Sequence, residues 1–581
     1  MTQENKFTEL DFFAIKQKLI NNFQAQTEFQ DVNFLGSTAN IIVDTCAYAI
    51  HQMAFHANFA ISETFLDSVQ KRANALSRAK ELGYPMATVS SSVMRVVVEV
   101  SNLLPADPDI LLPKFENFNA KSTDSSGKSI AFVNTEAITL VKETNELGEF
   151  IDETKRKAIF DIWQGRQTSR TFSFDATQEF GKYSLLDDNI DGKTVQVSVD
   201  GAEWNVYDGI NSIDPDSNIF YIQENALGNI EIWFGDGILS KKPINGAEII
   251  VDYLISIGED GNDVATISYP VKSSDSDWEV SITEISQGGA PEHTTHRIAT
   301  TAPIVFAAQK RAVTKTDYEG LLKAEFSWIE TLAVWGGEDN DPPIYGRVFV
   351  SIKPKGSEFL SSSLAQQVED RVLNKYNVLG IPAEITEPDY VYIDLSSEVF
   401  WDPSLTREDA STLLNTFVLT DIDTFFINNV TEFNKKMKYS KLVAAIDDSH
   451  NAISHNITTL NLSKKFKPIP FSNLTTEYNF RNPIQSGTFT SNPISIIGGS
   501  TITLKDNGNG SIDEYLGNNV RSFGIGTINY KTGSIVLSNY KFEVENSTEV
   551  IFNAKPANQD IEIKNNALLV LGTKTATMSR V

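Results

Sequence analysis

A single cysteine, Cys46, excludes any intrachain disulfide, and its setting between Thr45 and Ala47 in an apolar run reads as a buried, inert thiol. Histidine is scarce, six in 581 residues. His51 and His56 are five apart, which places them about 140° from each other on a helix rather than on a common face. His293 and His296 form an H-x-x-H pair with no Cys or third His nearby, and they read as a solvated helix start rather than a metal site. His450 and His455 fall in a polar stretch that reads as a surface turn. No G-x-S-x-G, H-E-x-x-H or G-x-x-x-x-G-K-[ST] occurs. The string DNGNGSIDE at 506–514 puts Gly508 and Gly510 where a calcium loop needs oxygen ligands, so it reads as a turn, and GGEDNDPP at 336–343 reads as a solvated loop. No run of about 18 apolar residues is present, and the start MTQENKFTELDFF lacks the basic end and apolar stretch of a secretory leader. Positive charge is also short: 49 Lys and Arg against 76 Asp and Glu give a formal charge of −27. Such a field opposes phosphate backbones and anionic lipid, so neither nucleic acid nor membrane is an expected partner. No catalytic, cofactor or metal constellation emerges, and no enzyme activity is expected.

What is present is an ordinary globular composition, 41% hydrophobic and 22% charged, in a chain long enough for about four domains. Residues 1–87 read as a helical domain. Thr8 with Asp11 resembles a capping box, after which Phe12, Ile15, Leu19 and Phe23 recur at helical spacing as a narrow apolar seam. Ser37 then caps a second helix, NIIVDTCAYAIHQMAFHANFA, which is apolar on most of its circumference and so reads as the centre of a bundle. A third helix sets Phe65, Val69, Ala73, Leu76 and Ala79 opposite Lys71, Arg72, Arg78 and Lys80, and Gly83 and Pro85 end it.

From Thr88 the period changes to two. Residues 88–288 read as a β-rich domain with strands such as VMRVVVEV, TVQVSVDG and IFYIQEN, and with one convincing helix, KETNELGEFIDETKRKAIF. Asn229 to Tyr253 reads as a strand, a turn at Gly235-Asp236-Gly237 and a return strand. Residues 289–467 alternate helices and strands as a small α/β sandwich. Within it Pro303 is expected to interrupt one helix, and Thr316 with Glu319 to cap the next. Residues 468–581 return to short strands, with a hairpin turn at Tyr530-Lys531-Thr532-Gly533. The expected class is therefore α+β multidomain: an N-terminal helical bundle, a β-rich domain, a small α/β sandwich and a β-rich C-terminal region.

Four stretches, in this order, carry a resemblance. They are FTELDFF through KELGY, with its Gly36-Ser37 turn, Glu63 and the Gly83-Tyr84 close; VDGAEW followed by IEIWFGDGILSKKPINGAEIIVDYLIS; APIVFAAQKRAVTKTDYEGLL, with Arg311 to Thr314 and Asp317-Tyr318; and KYSKLVAAIDDSHNAI. Together they resemble the baseplate wedge proteins of contractile-tailed phages, related to the baseplate J-like family, and most of all the large wedge subunit of T-even-type phages. The resemblance implies a non-enzymatic virion protein, assembled in the host cytoplasm, that pairs with a second copy of itself. Other wedge subunits would contribute a bundle helix, and a sheath-initiator subunit and the tail hub would be further partners. It also implies a ring of wedges around the hub that relays the trigger for sheath contraction, and structural rather than catalytic roles for Gly36, Ser37, Glu63, Gly83, Gly235, Gly237, Arg311, Asp317 and Tyr318. The seam Phe12, Ile15, Leu19, Phe23 suits either an intermolecular bundle or packing on helices of its own chain. The competing reading is a β-rich tail adhesin binding host glycans, with Trp204, Trp233, Tyr221 and Phe220 available, although their alternation is that of core residues.

Overall fold

The structure is a computed structural model that describes residues 11–25, 37–121, 129–144, 150–177, 181–207, 209, 214–225, 227–269, 277–340, 342–497, 499–545 and 548–581. The chain divides into two compact units, one of residues 1–329 and 361–378, the other of 330–360 and 379–581.

The first unit begins with helices α1 (Phe12–Gln24), α2 (Thr38–Ser62) and α3 (Arg72–Glu81). Asp11 itself caps α1, its carboxylate accepting from the Phe13 N–H at 2.9 Å; Thr8 and Gly36 lie outside the described residues. Phe65 and Val69 precede α3, in the turn that follows α2, instead of lying on the third helix. Two antiparallel-rich sheets follow. An eight-stranded sheet runs in the order Thr266–Ser268, Asn117–Lys121, Ser129–Val133, Phe150–Gln164, Val93–Val100, Trp278–Gln287, with Ile138–Thr144 beside Phe150–Gln164 and Ile110–Leu112 outside it. Of the segment expected to be helical, 145–149 lie outside the described residues and the rest falls in two strands, Ile138–Thr144 and Phe150–Gln164. Arg156, Phe160, Ile162 and Gln164 are buried on one side of the strand, with Ala158 half-buried between them, and pairing along the whole of Val93–Val100 overrides the helix-favouring Glu and Lys content.

The second sheet has seven strands, in the order Arg166–Ser173, Glu248–Ile255, Gln196–Val199, Ala202–Val206, Ile219–Glu224, Ile230–Phe234, Tyr183–Leu185. Ile230–Phe234 and Glu248–Ile255 lie in one sheet but do not pair, so the expected return strand does not come back beside its predecessor. The linker between them, 235–247, is longer than a hairpin turn and lets the chain cross to the far half of the sheet. Helices α4 (Thr295–Ala308) and α5 (Lys315–Glu325) complete this part with a third helical segment, Ser362–Val368, that widens into a π-turn over Glu369–Leu373. Pro303 sits inside a continuous α4 instead of interrupting it. The capping box of α5 is Thr314 with Asp317, two residues ahead of the expected pair. Among the described residues no helix is long and apolar enough to cross a membrane.

In the second unit a three-stranded sheet, Ile329–Gly336, Val348–Pro354 and Ala383–Ile385, packs Ala333, Trp335 and Phe349 with Tyr390, Tyr392, Phe433 and Leu568. The rest is built on an eleven-stranded sheet. From one end it runs Asn473–Asn479, Ser534–Lys541, Asn519–Asn529, Ser511–Leu516, Thr501–Asp506, Thr490–Ser491, Val550–Ala554, Ile453–Phe466, Asp389–Trp401 and finally the chain's last strand, Ala567–Arg580, with Ile494–Ser495 on Thr501–Asp506. Asp389–Trp401 pairs antiparallel with Ile453–Phe466 and parallel with Ala567–Arg580. Helices Leu419–Asn429 and Tyr439–Asp447 add Ile422, Phe426, Leu442 and Ile446 to the core beneath it. His455 lies on strand Ile453–Phe466, stacked on Phe400 with ring centroids 4.4 Å apart, instead of in a turn.

Candidate functional site

The chemistry available is that of surfaces. Among the described residues no group of three or more His, Cys, Asp or Glu is placed to hold a metal ion. His293 is buried, not solvated, with Nδ1 2.8 Å from the Tyr84 hydroxyl, while His296 is exposed. Burial pushes the Tyr84 hydroxyl well above the ordinary tyrosine range.

The most unusual surface is the α1–α2 pair. The helices lie antiparallel, with Phe12 edge-on to His51, Lys16 paired with Asp44 at 2.5 Å, and Ile20 against Val43 with Leu19, Phe23 and Ala39 around them. Ile15 is buried, whereas Phe12, Leu19 and Phe23 are half-buried. The seam is thus taken up by the chain's own α2.

Helix α2 gives only Asn40, Val43, Ala47 and Asn58 to the interior. Among the described residues it is not the centre of a bundle, and Cys46 is exposed instead of buried. Its remaining apolar surface falls in two rows. Ile41, Tyr48 and Phe55 recur every seven residues, at 60%, 59% and 52% exposure. On the other flank Ile42, Cys46, Ala49, Met53 and Ala60 follow steps of four, three, four and seven, with Met53 65% exposed. Steps of three and four are the spacing by which a helix offers a seam to another helix. Burying five large side chains of this kind contributes about 2 kcal/mol each before the ordering cost is subtracted. Residue counting alone did not separate these rows, because an all-round apolar helix reads equally as a buried one; the seven-residue recurrence was the signal that could have found them.

The pair is anchored by well-capped helix ends. Ser37 accepts the Asn40 N–H at 3.1 Å to start α2. The Glu63 carboxylate, just past its end, accepts from Gln70 N–H (2.9 Å), Lys71 N–H (3.2 Å) and Asn74 Nδ2 (2.7 Å) at the start of α3. Burial alone would raise the Glu63 carboxyl, but these bonds and the Lys71 charge outweigh it and hold it below its ordinary value. Gly83, at φ +80°, closes α3: the Tyr84 N–H reaches Ala79 O and the Gly83 N–H reaches Lys80 O. Arg72 is not a solvent-facing charge. Its guanidinium donates to Glu224 (2.7 Å), His293 O (3.1 Å) and Ala87 O (2.9 Å), which ties α3 to the strands and to the approach of α4.

A Cβ on Gly235 would overlap the Ser240 hydroxyl and come within 2.8 Å of its carbonyl, and Gly237 has φ +88°. The turn they allow lets Asp236 accept from the Ile238 and Leu239 N–H groups. Asp317 accepts from the Thr314 and Val313 N–H groups at 2.8 and 3.2 Å; these bonds overcome the opposing effect of burial and lower its carboxyl. Tyr318 is buried, and Arg311 is exposed, its N–H bonded to Ala308 O at 3.0 Å.

Of the aromatics open to a glycan-binding reading, Trp204 and Phe220 are buried in the core. Tyr221 and Trp233 lie on the opposite face, stacked on each other at 5.4 Å. Lys182 covers Trp233 and Tyr207 tilts against Tyr221, so their faces are already occupied.

Comparison with known proteins agrees with this picture. Family models match four stretches: residues 11–84 the helical domain of gp6-like baseplate wedge proteins, 169–269 the third domain of bacteriophage baseplate wedge protein gp6, and 314–386 and 389–465 C-terminal domains I and III of baseplate structural protein gp6. Baseplate wedge protein gp6 of Enterobacteria phage T4 is 25% identical over 530 residues, 86% of this chain and 76% of that protein. Among solved structures, a chain of the anti-feeding prophage baseplate aligns with 78% of this chain and 94% of its own at 12% identity and a TM-score of 0.31. A chain of the type VI secretion TssK-TssF-TssG baseplate subcomplex aligns with 60% and 96% at 7% identity and a TM-score of 0.25; at these scores neither fixes fold or role. The four gp6 matches and the long alignment to the T4 protein make this chain a T4-like baseplate wedge subunit, a structural component of the tail baseplate of a contractile phage.

Proposed function

We propose that the chain builds its wedge through the outward rows of α2, one row meeting a second copy of the subunit and the other a helix contributed by a different wedge subunit. The observation that carries this is the pair of exposed apolar rows, Ile41–Tyr48–Phe55 and Ile42–Cys46–Met53, on a helix whose buried side chains among the described residues all lie on its third side. A helix of this kind gains most by joining a multi-helix bundle. Its role is non-enzymatic: it supplies interfaces, closes a ring around the tail hub with the other wedge subunits, adjoins the sheath-initiator subunit, and passes the contraction trigger through its domains. Residues 1–87, 88–288, 289–467 and 468–581 serve as the working domains in this reading.

The test is co-expression with the neighbouring wedge subunits. I42D together with M53D is expected to abolish recovery of the complex, whereas L19D acts through α1 packing and also lowers the melting temperature of the free chain. Full recovery of complex with I42D and M53D would sink the α2 assignment.

A further inference from the structure

The crossover linker 235–247 is folded inside out. Ser240 and Pro243 are buried, whereas Ile238, Leu239 and Ile244 are 73%, 61% and 79% exposed. Single exposed aliphatics are ordinary, but three within seven residues of one turn are not, because a linker that only has to cross a sheet can be polar throughout. Nor is the turn loose. Asp236 accepts from the Ile238 and Leu239 N–H groups at 2.8 and 3.1 Å. The Gly237 N–H reaches Ser240 O at 2.9 Å, and the Lys241 N–H reaches Ser217 O at 3.1 Å. On the far side the Gly246 N–H bonds Phe174 O at 2.7 Å and the Ala247 N–H bonds Ile244 O at 2.9 Å. The backbone is thus ordered before any partner arrives, which lowers the ordering cost of binding. Lys241 and Lys242, both exposed and without an ion pair among the described residues, stand between the aliphatics. The one acid in 235–247, Asp236, is turned back on the backbone.

We propose that residues 238–244 are a docking turn for a wedge subunit other than this chain, one that presents an apolar pocket rimmed by carboxylates. Ile238, Leu239 and Ile244 supply the anchors that a partner pocket buries, and Lys241 and Lys242 supply the charged rim. Charge selects the occupant. Two free lysines in a chain of −27 make a local positive spot, which steers an acidic partner to this turn and away from the rest of the surface. A second copy offers a poorer match. Its acidic cleft beside Val89, Ile190 and Leu227 spends Asp187 on Arg170, and Glu224 and Glu292 on Arg72. Anionic lipid would meet the −27 of the whole chain, whereas a folded partner places its acids only where the lysines are. The inference rests on the reading that the chain works through interfaces, and it adds one in the seven-stranded sheet region, apart from α2.

The test uses the full chain co-expressed with the neighbouring wedge subunits. I238S/I244S removes two anchors and K241E/K242E reverses the rim. Each is expected to weaken capture of one such subunit at least about tenfold, while K241R/K242R retains it. The melting temperature of the free chain is expected to stay at the wild-type value in all three, since the altered side chains are exposed. A photo-crosslinking residue in place of Leu239 is expected to join the chain to a different subunit. A crosslink to a second copy overturns the choice of partner. Sedimentation of the chain with phosphatidylserine vesicles, lost in K241E/K242E, overturns it in favour of lipid. Undiminished capture by I238S/I244S and K241E/K242E, with no crosslink at 239, overturns the docking turn altogether. The same photo-label in place of Tyr48 reports on α2 separately. A crosslink at 48 with silence at 239 overturns the turn and leaves the α2 reading standing, and a crosslink to another subunit at 239 with silence at 48 supports the turn and overturns the α2 reading.

Discussion

The N-terminal helix pair and the eleven-stranded sheet solve the same burial problem in opposite ways. The sheet region encloses its own core: Phe552 is fully buried with the rings of Phe466, Phe489 and Tyr478 at 4.9, 5.0 and 5.3 Å. The helix pair buries little beyond Ile15, Ile20, Val43 and Ala47 and leaves Phe13, Ile41, Tyr48, Met53 and Phe55 outside. A sheet covered by helices can satisfy itself, whereas two helices have too little shared surface to cover all their apolar sides. On the proposed reading, the first region is built for stability and the second for assembly.

The contrast can be broken most severely from the sheet side. F552A removes a buried ring and is expected to cost about 3–5 kcal/mol in chemical denaturation, with the far-UV helical signal of the N-terminal region surviving to higher denaturant. A cost below about 1 kcal/mol would mean that this core is not close-packed. Next in size is G235A, whose new methyl meets Ser240 and is expected to cost about 1–3 kcal/mol, read as a shift in urea midpoint. S37A removes the cap of α2 and is expected to cost about 1 kcal/mol, read by thermal melts of the free chain.

Acidification sharpens the comparison in a graded way. Glu63 and Asp317 both have carboxyls lowered in the folded chain, so each contributes stability above its unfolded pKa, about 4.3 and 3.9 respectively, and loses it as pH falls through the folded value. Melting temperature is expected to drop between pH 5 and 3, and E63Q to flatten that dependence. The smallest effect on stability is expected from I42D with M53D, within about 0.5 kcal/mol of wild type, because both side chains are exposed. Loss of assembly without loss of stability is the signature of an interface.

Much of the fold was legible wherever periodicity and capping agreed. The strand VMRVVVEV lies at Val93–Val100, Ser37 caps α2, and α3 ends at Gly83 with a left-handed residue. Where local preference and tertiary pairing disagreed, pairing won. Glu and Lys in 150–157 favour a helix, yet the strand Val93–Val100 draws them into a sheet. The motif Gly235-Asp236-Gly237 was legible as a turn, but not as the start of a crossover. His293 looked like a solvated residue because a helix start is ordinarily exposed; Tyr84 and Arg72, both more than 200 positions away in sequence, bury it.

Composition, periodicity and motif order are local properties, and they suffice to mark an acidic α+β protein with no recognisable catalytic or metal motif and with the four wedge stretches in order. Which side of each apolar element is covered follows from packing. That α1 packs on one face of α2, and that Ala567–Arg580 lies at the end of its sheet beside Asp389–Trp401, depends on residues distant in sequence arriving at the same place. Burial is a property of neighbours, and neighbours are set by the fold.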